Sequence, residues 1–173
     1  CEGGEEREMR IYIAEDDPSV IGVLEDILES SALGRVCGAS EEGAPDPERI
    51  MALDPDLVLV DLLMPGRDGI QLVRELGSRA KFVMISQVSA KELIAKAYQA
   101  GVEFFIQKPI NLIEVRQVVG NVIRQMENED EQEVLRLRYI IGLKWEEVAL
   151  NMSYSWKHIH RIHSSALCNF KMT

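Results

Sequence analysis

Six polar residues stand where short apolar runs of the chain end. Glu15, Asp16 and Asp17 follow Ile11–Ala14, Asp61 follows LVLV at 57–60, Ser86 follows Phe82–Ile85, and Lys108 comes after Phe104–Ile106 and just before Pro109. Three or four carboxylates brought to one edge repel one another unless a hard cation sits among them. An all-oxygen donor set suits Mg²⁺, which keeps waters and accepts a phosphate oxygen. A carboxylate beside such an ion can act as nucleophile towards phosphorus and form an acyl phosphate. The oxygens of that phosphoryl group then need donors, and a hydroxyl (Ser86) and an ammonium (Lys108) supply them. Each residue alone also has a plain structural use. Asp17 followed by Pro18 fits a helix N-cap with proline at the first helical position, a strand-end serine usually bonds backbone, and Lys-Pro usually marks a turn. Recurrence at successive strand ends is what points to joint chemistry.

The elements that must position these groups can be read from periodicity. Ile11–Ala14, Arg35–Gly38, Leu57–Val60, Phe82–Ile85 and Phe104–Ile106 are short, rich in β-branched or aromatic residues, and bounded by turn residues. Between them Ser19–Ser30, Pro47–Leu53, Ile70–Ser78, Ala90–Ala100 and Leu112–Met126 carry helical spacing, as at Ile21, Leu24, Ile27 and Leu28. Strands alternating with helices predict an α/β fold with a doubly wound, five-stranded parallel sheet, and in such sheets functional groups gather beyond the carboxyl ends of the strands.

The segments IYIAEDDPSV, LVLVDLLMPGRDG, FVMIS and FFIQKPI, in that order and spacing, resemble the receiver domain of two-component response regulators over residues 9–126. The resemblance implies a flavodoxin-like fold, phosphorylation of Asp61 by a sensor histidine kinase, and a regulator rather than an enzyme. It implies Mg²⁺ held by Asp16, Asp61 and the backbone carbonyl of Leu63, with Glu15 nearby. The acidic triplet leaves a one-residue ambiguity, which the family pattern resolves towards Glu15 and Asp16 over Asp17. Ser86 and Phe105 look like the family's hydroxyl–aromatic switch pair, although phenylalanine there lacks the tyrosine hydroxyl. Pro65, Gly66 and Gly69 fit the bent loop after the acceptor.

The rest of the chain has a different character. The 173 residues carry a net charge of −10, but residues 134–173 hold six basic residues against Glu146 and Glu147, together with all three histidines. A basic end on an acidic body suggests a second module with a polyanionic partner. The acidic stretch 127–133 reads as a linker or an extension of the preceding helix, and 134–173 as three helices. The turn around Tyr154-Ser155, with Ser155 as an N-cap, gives a helix-turn-helix resembling sigma-factor region 4. Its last helix offers Trp156, Lys157, His158, His160, Arg161 and His163 for contacts to DNA, and Trp145 reads as core. An RNA-binding antitermination module, a helical hairpin for dimerisation, and a receiver acting by protein contact alone are the alternatives. The acidic stretch could mask the basic helix electrostatically.

Composition sets the outer limits. Hydrophobic residues at 46% and charged residues at 28% exclude a wholly disordered chain. No apolar run reaches the roughly 20 residues that span a bilayer, and no signal segment opens the chain, so no membrane partner and a cytoplasmic location are expected. The three cysteines lack a C-x-x-C pair, which argues against a disulfide framework or a cysteine zinc site. The first eight residues, CEGGEERE, are patternless and read as frayed. Phosphorylation is expected to control DNA binding and transcription, with a phosphorylation-dependent homodimer as one route.

Overall fold

The structure, a computed structural model, describes residues 7–40 and 45–173. Five strands, β1 (Arg10–Ala14), β2 (Arg35–Ala39), β3 (Leu57–Asp61), β6 (Lys81–Ser86) and β7 (Phe104–Gln107), pair in the order β2-β1-β3-β6-β7, all parallel. A two-residue ribbon, β4 (Leu63–Met64) against β5 (Arg67–Asp68), is folded from the loop after β3. The sheet is therefore the doubly wound one that the alternating pattern predicts. Helices α1 (Pro18–Ser30) and α5 (Leu112–Arg124) cover one face, and α2 (Pro47–Leu53), α3 (Gly69–Leu76) and α4 (Lys91–Ala100) cover the other. The central strand β3 is buried along its whole length, which its unbroken apolar run requires.

Short polar side chains start most helices. Asp17, Asp46, Asp68 and Asn111 each accept a hydrogen bond from a backbone N–H in the first turn of the following helix, satisfying donors the helix cannot pair internally. Asp17 is thus committed to α1, with Pro18 behind it.

The C-terminal part departs from expectation. Helix α5 stops at Arg124, and α6 (Glu129–Leu135) starts afresh with Asn128 as its N-cap, so residues 129–133 are neither a linker nor a continuation of α5. Three acidic residues in the first turn of α6 suit the positive end of its dipole. The helix then widens into a π turn, Arg136–Ile141, ended by Gly142 at φ +82°. Helices α7 (Trp145–Met152) and α8 (Trp156–Met172) complete the chain, with Ser155 capping α8 as its sequence suggested.

These helices do not close on themselves. Val134, Leu137, Trp145, Val148 and Ile159 make a small core of their own. Leu135, Tyr139, Ala166, Leu167 and Phe170 instead join the larger core beneath α1 and α5, together with Met9, Leu33 and Met126. The segment packs below the amino ends of the strands, across the sheet from the strand-end carboxylates. Arg7 and Glu8, expected to be frayed, are ion-paired to Asp56 and Arg138. Residues 1–6 lie outside the described residues. Cys37 is a free thiol, half-buried in β2. No described helix is long and apolar enough to cross a membrane.

Candidate functional site

Three parallel strands deliver the rim. β1 ends at Ala14 and is followed by Glu15 and Asp16; β3 ends on Asp61 itself; β7 is followed by Lys108, held beside Pro109. Carboxylate oxygens of Glu15, Asp16 and Asp61 all lie within 4.8 Å of one another. Lys108 Nζ donates to Glu15 Oε2 at 2.7 Å and to Asp61 Oδ2 at 3.4 Å. The sequence-derived quartet therefore meets in space, and Asp17 does not belong to it.

The electrostatics of the rim are unbalanced. Three carboxylates face one ammonium. Asp16 is exposed, yet its carboxyl is held above the usual carboxylate range, first by lost hydration and then by Glu15 beside it. Partial burial pulls the Lys108 ammonium down, but its bond to Glu15 and the charge of Asp61 outweigh that and leave it raised, so it stays cationic. Glu15 and Asp61 are almost fully buried, with Glu15 turned back to accept from the backbone N–H groups of Asp16 and Asp17. Hard oxygen donors in excess over cations, with one of them open to solvent, fit a divalent cation such as Mg²⁺.

Close packing holds the acceptor in place. A Cβ added at Gly69 would stand 2.2 Å from the carbonyl oxygen of Asp61, so only glycine lets α3 begin this close to the acceptor strand. Gly66, at φ +78°, makes the tight turn of the β4–β5 ribbon. Leu63 lies in that ribbon with its side chain largely exposed.

Ser86 ends β6, the neighbour of the acceptor strand, and is buried, with its Oγ accepting from Val88 N–H at 3.0 Å. Phe105 pairs across from Met84, so Phe105 and Ser86 lie on the same face of adjoining strands. Phe105 is half-buried and packs against the α2–α4 side of the core. Beside the rim, a hollow of about 460 Å³ is lined by Val20, Val23, Gln87, Lys108, Pro109 and Ile110.

The candidate nucleic-acid face is smaller than the sequence suggested. Trp156, Lys157 and Arg161 are exposed on the first turns of α8. His158 is half-buried, and its Nδ1 accepts from Arg161 Nη2 at 2.9 Å. His160 is packed between Trp145 and Trp156, its ring tilted by 48° and 47° to theirs. His163 is 2% exposed, lies 2.8 Å from Tyr139 Oη, and packs edge-on to Trp145, so it is a core residue and not a DNA contact. Its position explains this: four residues after Ile159 and three before Ala166, it sits on the apolar stripe of α8. Trp145 is buried, as expected.

Sequence reasoning missed a second charged cluster at the opposite edge of the sheet. Asp56 is fully buried and accepts from Arg7 Nη2 and from Arg10 N–H, each at 2.8 Å. Lys171, from the end of α8, lies 2.7 Å from Asp54 Oδ1 and 3.5 Å from Asp56 Oδ1. The only sequence signal was Asp54-Pro55-Asp56 before a buried strand, which reads as a turn.

Residues 11–120 match the model of the response regulator receiver domain. The transcriptional regulatory protein GlnL of Bacillus subtilis is 43% identical over 124 residues, which are 70% of this chain and 40% of GlnL, so the chain spans well under half of that relative. Among solved structures, the receiver domain of the response regulator NarL from Mycobacterium tuberculosis superposes with a TM-score of 0.62 at 26% identity, covering 69% of this chain and 98% of that one. RcsB from Salmonella enterica serovar Typhimurium, bound to promoter rprA, is similar over 93% of this chain and 94% of its own, with TM-score 0.53 and 22% identity, a likeness of fold alone.

Proposed function

The chain belongs to the response regulator receiver domain family over residues 11–120, and from that premise we propose that it is phosphorylated on Asp61 by a sensor histidine kinase and passes the signal to a nucleic acid through α8. The observation that carries the reading is the rim itself, three carboxylates within 4.8 Å of one another with Lys108 reaching two of them. Asp16, Asp61 and the carbonyl of Leu63, with Glu15 behind them, would hold Mg²⁺, which draws negative charge from the phosphoryl oxygens. An Asp61 oxygen attacks phosphorus, a P–O bond forms as the P–N bond of the phosphohistidine breaks, and the imidazole remains with the kinase. The Lys108 ammonium and the Ser86 hydroxyl, turning from its local N–H bond, then pair with phosphoryl oxygens. Movement of Ser86 leaves room on the sheet face it shares with Phe105, so the aromatic ring is the natural second member of the switch.

For output, Trp156, Lys157 and Arg161 at the N-terminus of a Ser-capped helix suit phosphate and base-edge contact with DNA, in the manner of a helix-turn-helix of the sigma-factor region 4 type. Acidic α6 lies against α8, with Tyr154 Oη donating to Asp130, which supports a local electrostatic brake on that face. Labelling by a small phosphodonor with Mg²⁺ is expected for the wild type and absent in Asp61→Asn. Duplex DNA is expected to bind the labelled form more tightly, with affinity falling as salt rises. Labelling of Asp61→Asn sinks the acceptor assignment, and salt-dependent binding of structured RNA but not duplex DNA transfers the output to RNA.

A further inference from the structure

A response regulator whose output helices swing on a tether needs a spacer and an interface that can part. Neither is found among the described residues. Only residues 125–128 separate α5 from α6, and the Gln132 side-chain amide bonds back to the carbonyls of Arg124 and Met126. The interface is a core. Ala166, Leu167 and Phe170 of α8 are fully buried in the same cluster as Leu24, Leu28, Val119 and Val122 of the α1–α5 layer.

Polar groups lock the same seam. The Tyr139 hydroxyl, from the π turn, accepts from Met9 N–H at 2.8 Å and is hydrogen-bonded to His163 Nε2 at 2.8 Å. All three groups are buried. Parting the helices from the sheet leaves the Met9 N–H, the tyrosine and the histidine to find water, and takes Lys171 from Asp54 and Asp56. What the helices keep is a core of five buried residues, too few for a segment of about 40 residues to stand alone.

We infer that the C-terminal helices are an obligate part of the receiver fold, one cooperative unit with it, so that free energy gained or lost at the Asp61 rim is felt directly by the helix bearing Trp156, Lys157 and Arg161. Helix α8 serves both regions at once: its first turns face solvent and its last turns are receiver core. Coupling needs no release of a masked domain, because stabilising the sheet stabilises the seat of α8. The inference is independent of which nucleic acid the helix meets.

Both tryptophans of the chain, Trp145 and Trp156, lie in this segment, so fluorescence reports on it while far-UV circular dichroism reports on the whole fold. Leu72, fully buried in α3, belongs to the core on the far face of the sheet, which includes no residue of the C-terminal helices. In urea unfolding of the full chain, wild-type fluorescence and dichroism midpoints are expected to coincide, and Leu72→Ala is expected to lower both by the same amount. A fluorescence midpoint that stays at its wild-type value while dichroism shifts overturns the inference, as do separate midpoints in the wild type. Should Leu72→Ala fail to fold, Ile70→Val in the same core makes the same comparison with a smaller perturbation.

Discussion

The two edges of the central sheet each carry a cluster of acids, part buried and part exposed, and they are built on opposite terms. Where the strands end, Glu15, Asp16 and Asp61 share one lysine, and Asp16 opens to solvent. Where the strands begin, about 16 Å away for a five-residue strand, Asp54 and Asp56 are matched by Arg7 and Lys171, and Asp56 takes a backbone N–H besides. Burial pushes the Asp56 carboxyl up, with the Arg10 N–H and the two cations opposing it. Desolvation also acts on Asp54, but Lys171 prevails and holds it below the usual carboxylate range. Unmatched negative charge marks a place that waits for a cation or a phosphoryl group; matched charge marks a fastening. The burial of an acid does not separate the two cases, whereas the inventory of its partners does.

Substitution should expose the contrast with opposite signs. Asp56→Ala strips Arg7, Lys171 and the Arg10 N–H of a buried partner and is expected to cost about 3–5 kcal/mol in urea unfolding. Asp61→Asn removes one of three crowded carboxylates and is expected to gain about 0.5–2 kcal/mol while abolishing phosphoryl transfer, as groups installed for activity at the expense of stability do. Equal losses from both would erase the distinction. A pH-dependent effect tests the seam between the regions. Burial, then the charges of His160, Arg138 and Arg7, hold His163 down to about 3, so it is neutral in the folded chain and protonates more readily once unfolded. Its contribution is present above the unfolded value near 6.5 and is lost as pH falls from there towards about 3, at roughly 1.4 kcal/mol per pH unit. Stability measured against pH should therefore slope downward below about 6.5, and His163→Gln should flatten that slope; an unchanged slope would mean that the buried histidine is not the group responsible.

How much of this was legible in the residues depends on whether the signal was local. LVLV at 57–60 and the flanking apolar runs specify buried strands because nothing polar interrupts them, and Asp17-Pro18 and Asn111 announce helix starts through their own hydrogen-bonding chemistry. The rim was legible because a parallel fold sends strand ends to one side, so order along the chain becomes proximity in space. The seat of the C-terminal helices was not legible, since an apolar stripe says that a face is covered and not by what. Yet the stripe of α8 runs from Ile159 through Phe170, three turns of helix, which is more than a three-helix scrap could bury alone. His163 misled because a histidine among lysine and arginine reads as a phosphate contact. Its register with Ile159 and Ala166 was the better guide.

The π turn at Arg136–Ile141 sets the direction of everything beyond it. A wider turn is a regular helix that has taken in a residue without growing longer, and here it brings the Tyr139 hydroxyl to Met9, just ahead of β1. Losing one residue from this stretch would rewind the coil and rotate α7 and α8 by about 100°, carrying the ring off Met9 and swinging α8 out of its seat. This short piece should thus tolerate changes of residue type far better than changes of length, and a one-residue deletion read by tryptophan fluorescence should unfold the chain where single alanine replacements at the exposed Ile141 do not.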